Sequence, residues 1–325
     1  MSQPSQSSTP NTTTPTPLVT KSHDTSMSLR RRAALWVARP FFALAILAGR
    51  CLPRRQRLAV AGCCGRAVYY LFPGVRGNLL NNGACILGPK SVHNERKALA
   101  LEILVNFAHF IMEWVAPDPK ASDETIFDAA VGKEHFLTAA DEGKGVIAVS
   151  LHMGTYEVPG RALARLRSDV AIVFQRENVG FLEAIRSRTR QRDRLDEIVI
   201  DASPFFSLEV LRRLRAGGTI LIAGDQLTPE VGLECEFLHG RASFSLWAAR
   251  LALASGAPVV PTFYVRGPDS VPRVEMCPAI HPNDFSNPEE LTAALIKIYA
   301  RYLRAHAGEW LMVHRFWNES GSSQR

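Results

Sequence analysis

The clearest apolar run in the chain is residues 146–151, Val-Ile-Ala-Val-Ser-Leu, set between Gly143-Lys144-Gly145 and His152. It is too short for a helix, rich in β-branched residues and bounded by glycine, so it predicts a buried strand. Similar runs follow at 169–174, 198–200, 219–224, 257–265 and, more weakly, 273–277. Helical periodicity fills the intervals. It begins at 131–143, where Gly143 stops it, and continues at 161–167 after the turn residues Pro159-Gly160. Further helices are expected at 207–215, stopped by Gly217-Gly218, and at 289–307. Strands separated by helices predict an α/β fold, a central, mostly parallel sheet flanked by helices.

Upstream of residue 120 the pattern is helical throughout. Leu58, Ala61, Gly65, Val68 and Leu71-Phe72 share one turn period, and Pro73-Gly74 breaks it. Residues 78–87 form a second helical segment and 91–114 a third. His109 and Glu113 in the third are four apart, the spacing of a metal pair or a surface pair. Amid so much apolar helix the structural reading is the favoured one. Residues 1–28 are Ser/Thr/Pro-rich and predict a disordered tail, with a shorter one at 319–325. Between them and the lead-in lies an apolar stretch, 29–50, interrupted by Arg39-Pro40 and flanked by Arg30-Arg31-Arg32 and Arg50. It reads as an uncleaved helix held in or on a membrane, with a core helix as the competing reading. The expected organisation is thus a tail (1–28), a membrane-associated helix (29–50), a helical lead-in (51–120), an α/β core (121–318) and a tail.

Charge sharpens this picture. The chain carries +7 overall, yet residues up to 57 hold nine Lys/Arg and one acid, Asp24. The remaining chain is close to neutral. Basic residues wrapped around apolar ones suit anionic lipid, and argue against nucleic acid, which needs a basic folded face with interleaved aromatics. Six cysteines show no metal-ligand spacing and read as reduced thiols. There is no dinucleotide loop, phosphate loop or nucleophile elbow.

Candidate chemistry gathers at strand ends. His152 and Glu157 are five apart, about 140° on one helix, so they can meet only if the backbone turns between them. The loop after a strand, outside the carboxyl edge of a parallel sheet, is such a place. A carboxylate on an imidazole fixes its tautomer and raises its basicity. Gly154 leaves room there for close approach of a thioester carbonyl. Arg176 follows the second strand and Asp225-Gln226 the fourth, on the same rim. Arg186, Arg190 and Arg194 form one stripe if helical, either a clamp for an anionic acceptor or acidic carrier, or a solvated face.

In this order, these residues resemble the lipid A biosynthesis acyltransferases of the lauroyl/myristoyl type, relatives of the glycerolipid acyltransferases. The family's His-x4-Asp/Glu motif is matched by His152 and Glu157, and its basic position after the next strand resembles Arg176. Asp225-Gln226, Phe237-Leu238-His239-Gly240 with Arg241, Gly256 to Pro261, and Trp310 to His314-Arg315 resemble later family segments. The likeness spans roughly 30–318. Where the family carries Gly-Asn-Trp-Glu/Asp, this chain reads Gly154-Thr155-Tyr156-Glu157. The resemblance implies transfer of a fatty acyl chain from acyl-carrier protein or coenzyme A to a hydroxyl of a membrane glycolipid, on the cytoplasmic face of the inner membrane. His152, Glu157, Arg176 and Asp225 would be catalytic. Gly154, Arg186, Arg190, Gln226, Gly240 and Arg241 would bind substrate, with no metal or cofactor. Alternatives are another lipid acceptor (a lyso-glycerolipid or amino lipid), thioester hydrolysis, and a membrane-bound binding protein with a dead site.

Overall fold

The structure, a computed structural model, describes residues 52–115, 130–155, 157–175, 187, 190–191, 195–200, 205–225, 232–266 and 272–318, without the side chains of 114, 115 and 157. The expected tails and the helix at 29–50 lie outside these residues.

Three helices lead in: α1 (Arg54–Leu71), α2 (Pro73–Leu87) and α3 (His93–Val115). Pro73 ends the first periodic segment as expected, but α2 starts there rather than at 78, because proline at the first position of a helix has no N–H that needs a partner. Glu95 reaches back to accept from the Val92 N–H at 3.0 Å, half of a capping box that fixes the start of α3. α1 lies against α3 because Gly65 presents no side chain. A Cβ there would sit 2.5 Å from the Leu104 carbonyl oxygen and 3.0 Å from the Val105 Cα.

The body follows as α4 (Lys133–Asp141), β1 (Val146–Ser150), α5 (Glu157–Leu166), β2 (Val170–Phe174), β3 (Asp196–Val199), α6 (Phe206–Arg215) and β4 (Thr219–Ala223). Then come β5 (Leu233–Phe237), β6 (Gly240–Phe244), α7 (Trp247–Ser255), β7 (Val259–Arg266), β8 (Pro272–Met276) and α8 (Pro288–Ala305). The main sheet has the order β3-β2-β4-β1-β7-β8. All neighbours are parallel except β8, which is antiparallel to β7. This is the expected mostly parallel sheet.

β1, β2 and most of β4 are buried on both faces, which is why they read as continuous apolar runs rather than alternating ones. Alternation decides the layer instead. Ile147, Val149, Ile220 and Ile222 join the core shared with α3, α7 and α8, whereas Val146, Ala148 and Leu221 join the core beneath α4 and α5.

Three stretches of the body depart from expectation, one of them α7, for which the sequence pattern assigned no element. α5 starts at Glu157, four residues early, because Pro159 falls in its first turn, where no intrahelical N–H is required. Gly160 then lets α5 sit close on Leu195 and Leu221. The segment 233–244, to which the sequence pattern assigned no element, is an antiparallel hairpin, β5 paired with β6.

Among the described residues no single helix is long and apolar enough to cross a membrane. Replacing Gly65 by Val is expected to force α1 off α3 and to cost about 1–3 kcal/mol in urea unfolding. An unchanged midpoint would show that the two helices can separate freely.

Candidate active site

β1 and β4 run side by side in parallel, Val146 opposite Thr219 and Ser150 opposite Ala223. The Gly224 N–H donates to the Ser150 carbonyl at 2.7 Å, which keeps the two chains together beyond their last pair. Two residues further along each chain stand His152 and Asp225. Strand register therefore brings together two groups that are 73 residues apart. His152 Nδ1 lies 2.7 Å from Asp225 Oδ1. Asp225 Oδ2 accepts from the His152 backbone N–H at 2.9 Å and from the Trp310 indole Nε1–H at 2.8 Å.

The Asp225 side chain is 1% exposed, the imidazole 19%. Burial alone pushes a carboxyl up. Here the attraction of His152, the two hydrogen bonds from that residue and the one from Trp310 outweigh it, and the Asp225 carboxyl is held below its ordinary range. The bond at Nδ1 also fixes the tautomer: with the proton on Nδ1, Nε2 carries the lone pair.

The loop bearing His152 is clamped from the carboxyl-terminal side. Leu311 N–H donates to the His152 carbonyl at 2.8 Å, and Gly154 N–H donates to the Glu309 carbonyl at 2.7 Å. Met153 forms an antiparallel bridge with Trp310. The Glu309 carboxylate accepts from the Arg266 N–H at 3.1 Å, tying the clamp to the end of β7. Thr155 Oγ1 donates to Glu113 at 3.2 Å, and Glu113 pairs with Arg54 at 3.0 Å. His109, four residues earlier, engages the Leu58 carbonyl instead, at 3.0 Å. The i,i+4 pair is thus structural: each member holds a different neighbour. Tyr264 packs against Gly154, and burial pushes its hydroxyl up to about 12, so it stays a phenol at neutral pH. Behind Asp225, a cavity of about 20 Å³ touches Gly224, Phe244, Trp247, Thr292, Leu295 and Tyr299. That is room for one water.

A histidine held by a buried acid at the rim of a parallel sheet, with an order of motifs matched along the whole chain, can be tested against known families. The model of the family described as bacterial lipid A biosynthesis acyltransferase matches residues 21–319. The chain belongs to this family. It is accordingly an acyltransferase of the kind that transfers an acyl chain to a lipid acceptor. No curated protein matches the sequence.

The structure places the expected site residues of this acyltransferase unevenly. His152 and Asp225 meet directly. Glu157 is the first residue of α5, five positions after His152; its side chain lies outside the described residues. Arg176, Arg186 and Gln226 also lie outside them. Gly154 has φ of +52°, and a Cβ there would meet Tyr264 at 2.9 Å, so the close approach that this glycine permits is that of Tyr264. Its N–H is already bonded to Glu309 and is not a donor for an oxyanion. Arg190 is buried rather than displayed on a stripe: it bonds Glu197 at 3.2 Å and stacks 4.2 Å from the Phe174 ring centroid. Gly240 opens β6, where a Cβ would meet Trp317 at 2.7 Å, and Arg241 is exposed beside Glu234. Trp310, which holds Asp225, belongs to the closing segment, for which the sequence implied no role. Its signal was its place in the closing motif, a Trp whose ring N–H must find a partner once buried.

Asp225→Ala leaves three donors without an acceptor and is expected to cost about 3–5 kcal/mol in chemical unfolding. Asp225→Asn keeps the shape and removes the charge. Because the folded carboxyl titrates below its unfolded counterpart, the stability gap between the native chain and this variant is present above about pH 4. It should close as pH falls through the folded value. A gap that widened with acid would contradict the assignment.

Proposed function

We propose that this acyltransferase moves a fatty acyl chain from a thioester, on acyl-carrier protein or coenzyme A, to a hydroxyl of a lipid A-type glycolipid. It would work at the cytoplasmic face of the inner membrane, held by the helix expected at 29–50. The reading rests on one observation: the His152 imidazole is gripped at Nδ1 by a buried carboxylate, which directs the basic Nε2 away from that bond.

Chemistry follows from that orientation. Nε2 takes the proton of the acceptor hydroxyl as its oxygen attacks the thioester carbonyl. The tetrahedral intermediate carries its charge on the former carbonyl oxygen. As the C–S bond breaks, the imidazolium returns its proton to the departing thiolate. Asp225 stabilises the imidazolium and prevents the ring from turning. Glu157 is placed one loop away from His152 and would serve as a second carboxylate for the imidazole or for the acceptor. Arg176, just past β2 on the same sheet, supplies positive charge for the oxyanion or for a phosphate of the acceptor. Gln226 and Arg186 would complete the acceptor site. No Ser or Cys nucleophile is needed, and no metal or cofactor enters these steps.

The test is an acyl-transfer assay with detergent-extracted protein. Both thioester donors are offered against a panel of lipid acceptors, and products are read by mass spectrometry. A new acyl chain on a lipid A precursor is expected, with His152→Ala lowering the rate by about 10²–10⁴-fold. Near-normal transfer by that variant would remove His152 as the base. A chain on another lipid would change the acceptor, and free fatty acid alone would indicate hydrolysis. The carboxylates separate by variant: Asp225→Asn is expected to lower kcat about a hundredfold or more at every donor concentration. Glu157→Gln distinguishes a role on the imidazole, which lowers kcat, from one on the acceptor, which raises the acceptor KM.

A further inference from the structure

The lead-in helices carry a surface that the catalytic reading does not use. Residues 54–87, which make up α1 and α2, contain five arginines and no acid. Along α1 the exposed residues Arg55, Ala59, Cys63, Arg66 and Tyr70 recur at intervals of three and four, so they form one stripe down the helix. The stripe ends at a sharp elbow. α1 and α2 meet at 95° across Phe72, and the elbow leaves Tyr70 59% and Leu71 63% exposed. Large apolar side chains that far in water need a reason when they stand next to each other at a tip. Cations flank them. Lys97 Nζ lies 5.8 Å above the Tyr70 ring, and the Arg76 guanidinium lies 5.8 Å from the Tyr69 ring.

We propose that the α1–α2 elbow is a second membrane contact, in which Tyr70 and Leu71 enter an anionic bilayer interface while the basic stripe of α1 lies along its headgroups. Three features select a bilayer as the occupant. Arg55 and Arg66 share one exposed helix face with the small residues Ala59 and Cys63 between them and Tyr70 at its end, as on a helix lying in an interface. No carboxylate occurs anywhere on α1 or α2, so anionic lipid meets no repulsion from them. The nearest acid of α3 at the other end of α1 is Glu113, already paired with Arg54. Tyrosine is suited to headgroup depth, with an apolar ring and a wet hydroxyl. The 95° bend also rules out reading the two helices as one straight span, whereas an elbow that dips in needs no span. The first-turn N–H groups of α2 then face water and headgroups, where they find acceptors.

This contact would orient the protein as well as hold it. The arginine end of α1 touches Glu113, and Glu113 touches Thr155 of the His152 loop. A helix of 18 residues is about 27 Å long, so α1 would lie in the plane of the interface with the elbow at one end and the catalytic loop beside the other. The inference does not depend on which donor or acceptor the site uses.

The experiment uses the full chain. Leu71→Cys, in a background carrying C51S and C63S, is labelled with bimane, and mass spectrometry confirms the site. Labelled protein is mixed with vesicles of phosphatidylethanolamine and phosphatidylglycerol. The expected result is quenching by nitroxide-bearing acyl chains and loss of quenching by aqueous iodide, weaker at high salt and on phosphatidylcholine vesicles. Tyr70→Glu with Leu71→Glu should lower vesicle partitioning by about tenfold without altering the thermal midpoint, since both side chains are exposed. A label that iodide still reaches in vesicle-bound protein would overturn the proposal, and so would a failure of the full chain to bind these vesicles.

Discussion

A carboxylate taken out of water costs several kcal/mol unless its lone pairs are filled, and Asp225 is the group on which the rest of this structure turns. It accepts from two nitrogens of one residue and from the indole of another. Those donors come from distant stretches: the end of β1 and the segment after α8. Each must be within a few tenths of an ångström for the burial to be tolerable. The requirement runs in both directions. Strand register brings Asp225 to His152, and Asp225, once buried, penalises any shift of that register.

The same logic explains the closing segment and the lead-in. Residues 309–317 make no strand of the main sheet, yet they cover the His152 loop through main-chain bonds and bury Trp310 against Asp225. A segment so irregular needs its own polar groups satisfied. The lead-in supplies the partners. Asn82 of α2 donates to the carbonyls of Met312 and His314 and accepts from the Phe316 N–H; Asn106 of α3 donates to the Gly308 carbonyl. Stacked Phe237 and Trp317 close the other side. The helices before the sheet thus hold the chain after it, and that chain holds the histidine.

Much of this was written in local patterns. The six strands of the main sheet and three of the later helices followed from apolar runs and glycine stops; for β1, β2 and β4 a parallel sheet covered on both faces leaves little choice of residue. The rim positions of His152 and Asp225 followed from strand ends. Their pairing did not, since it depends on which strand lies next to which. β4 is inserted between β1 and β2, and nothing local to either strand encodes that neighbour. The hairpin has a weaker signature: Leu233, Cys235 and Phe237 alternate with Glu234 and Glu236, a period of two rather than a continuous apolar run. Arg190 failed for a different reason. Spacing on a helix says which residues share a face, not whether that face meets solvent, and here it meets Phe174 and Glu197.

The position of Asp225 bears on what the second acid near the histidine has to do. An imidazole has two nitrogens, and Nδ1 is already engaged by a carboxylate with no room to move. A further acid contributed by the His-x4-Glu spacing therefore has no task left at Nδ1, where orientation is set. Its remaining tasks lie on the side where the reaction occurs: adjusting the charge felt by Nε2, or positioning the acceptor hydroxyl. Glu157 is the first residue of α5, where the helix dipole favours negative charge. In the proposed mechanism a negative charge there would attract the imidazolium that forms as the proton is taken. In the proposed mechanism Asp225 would fix the base, and Glu157 would be left to act toward the substrate.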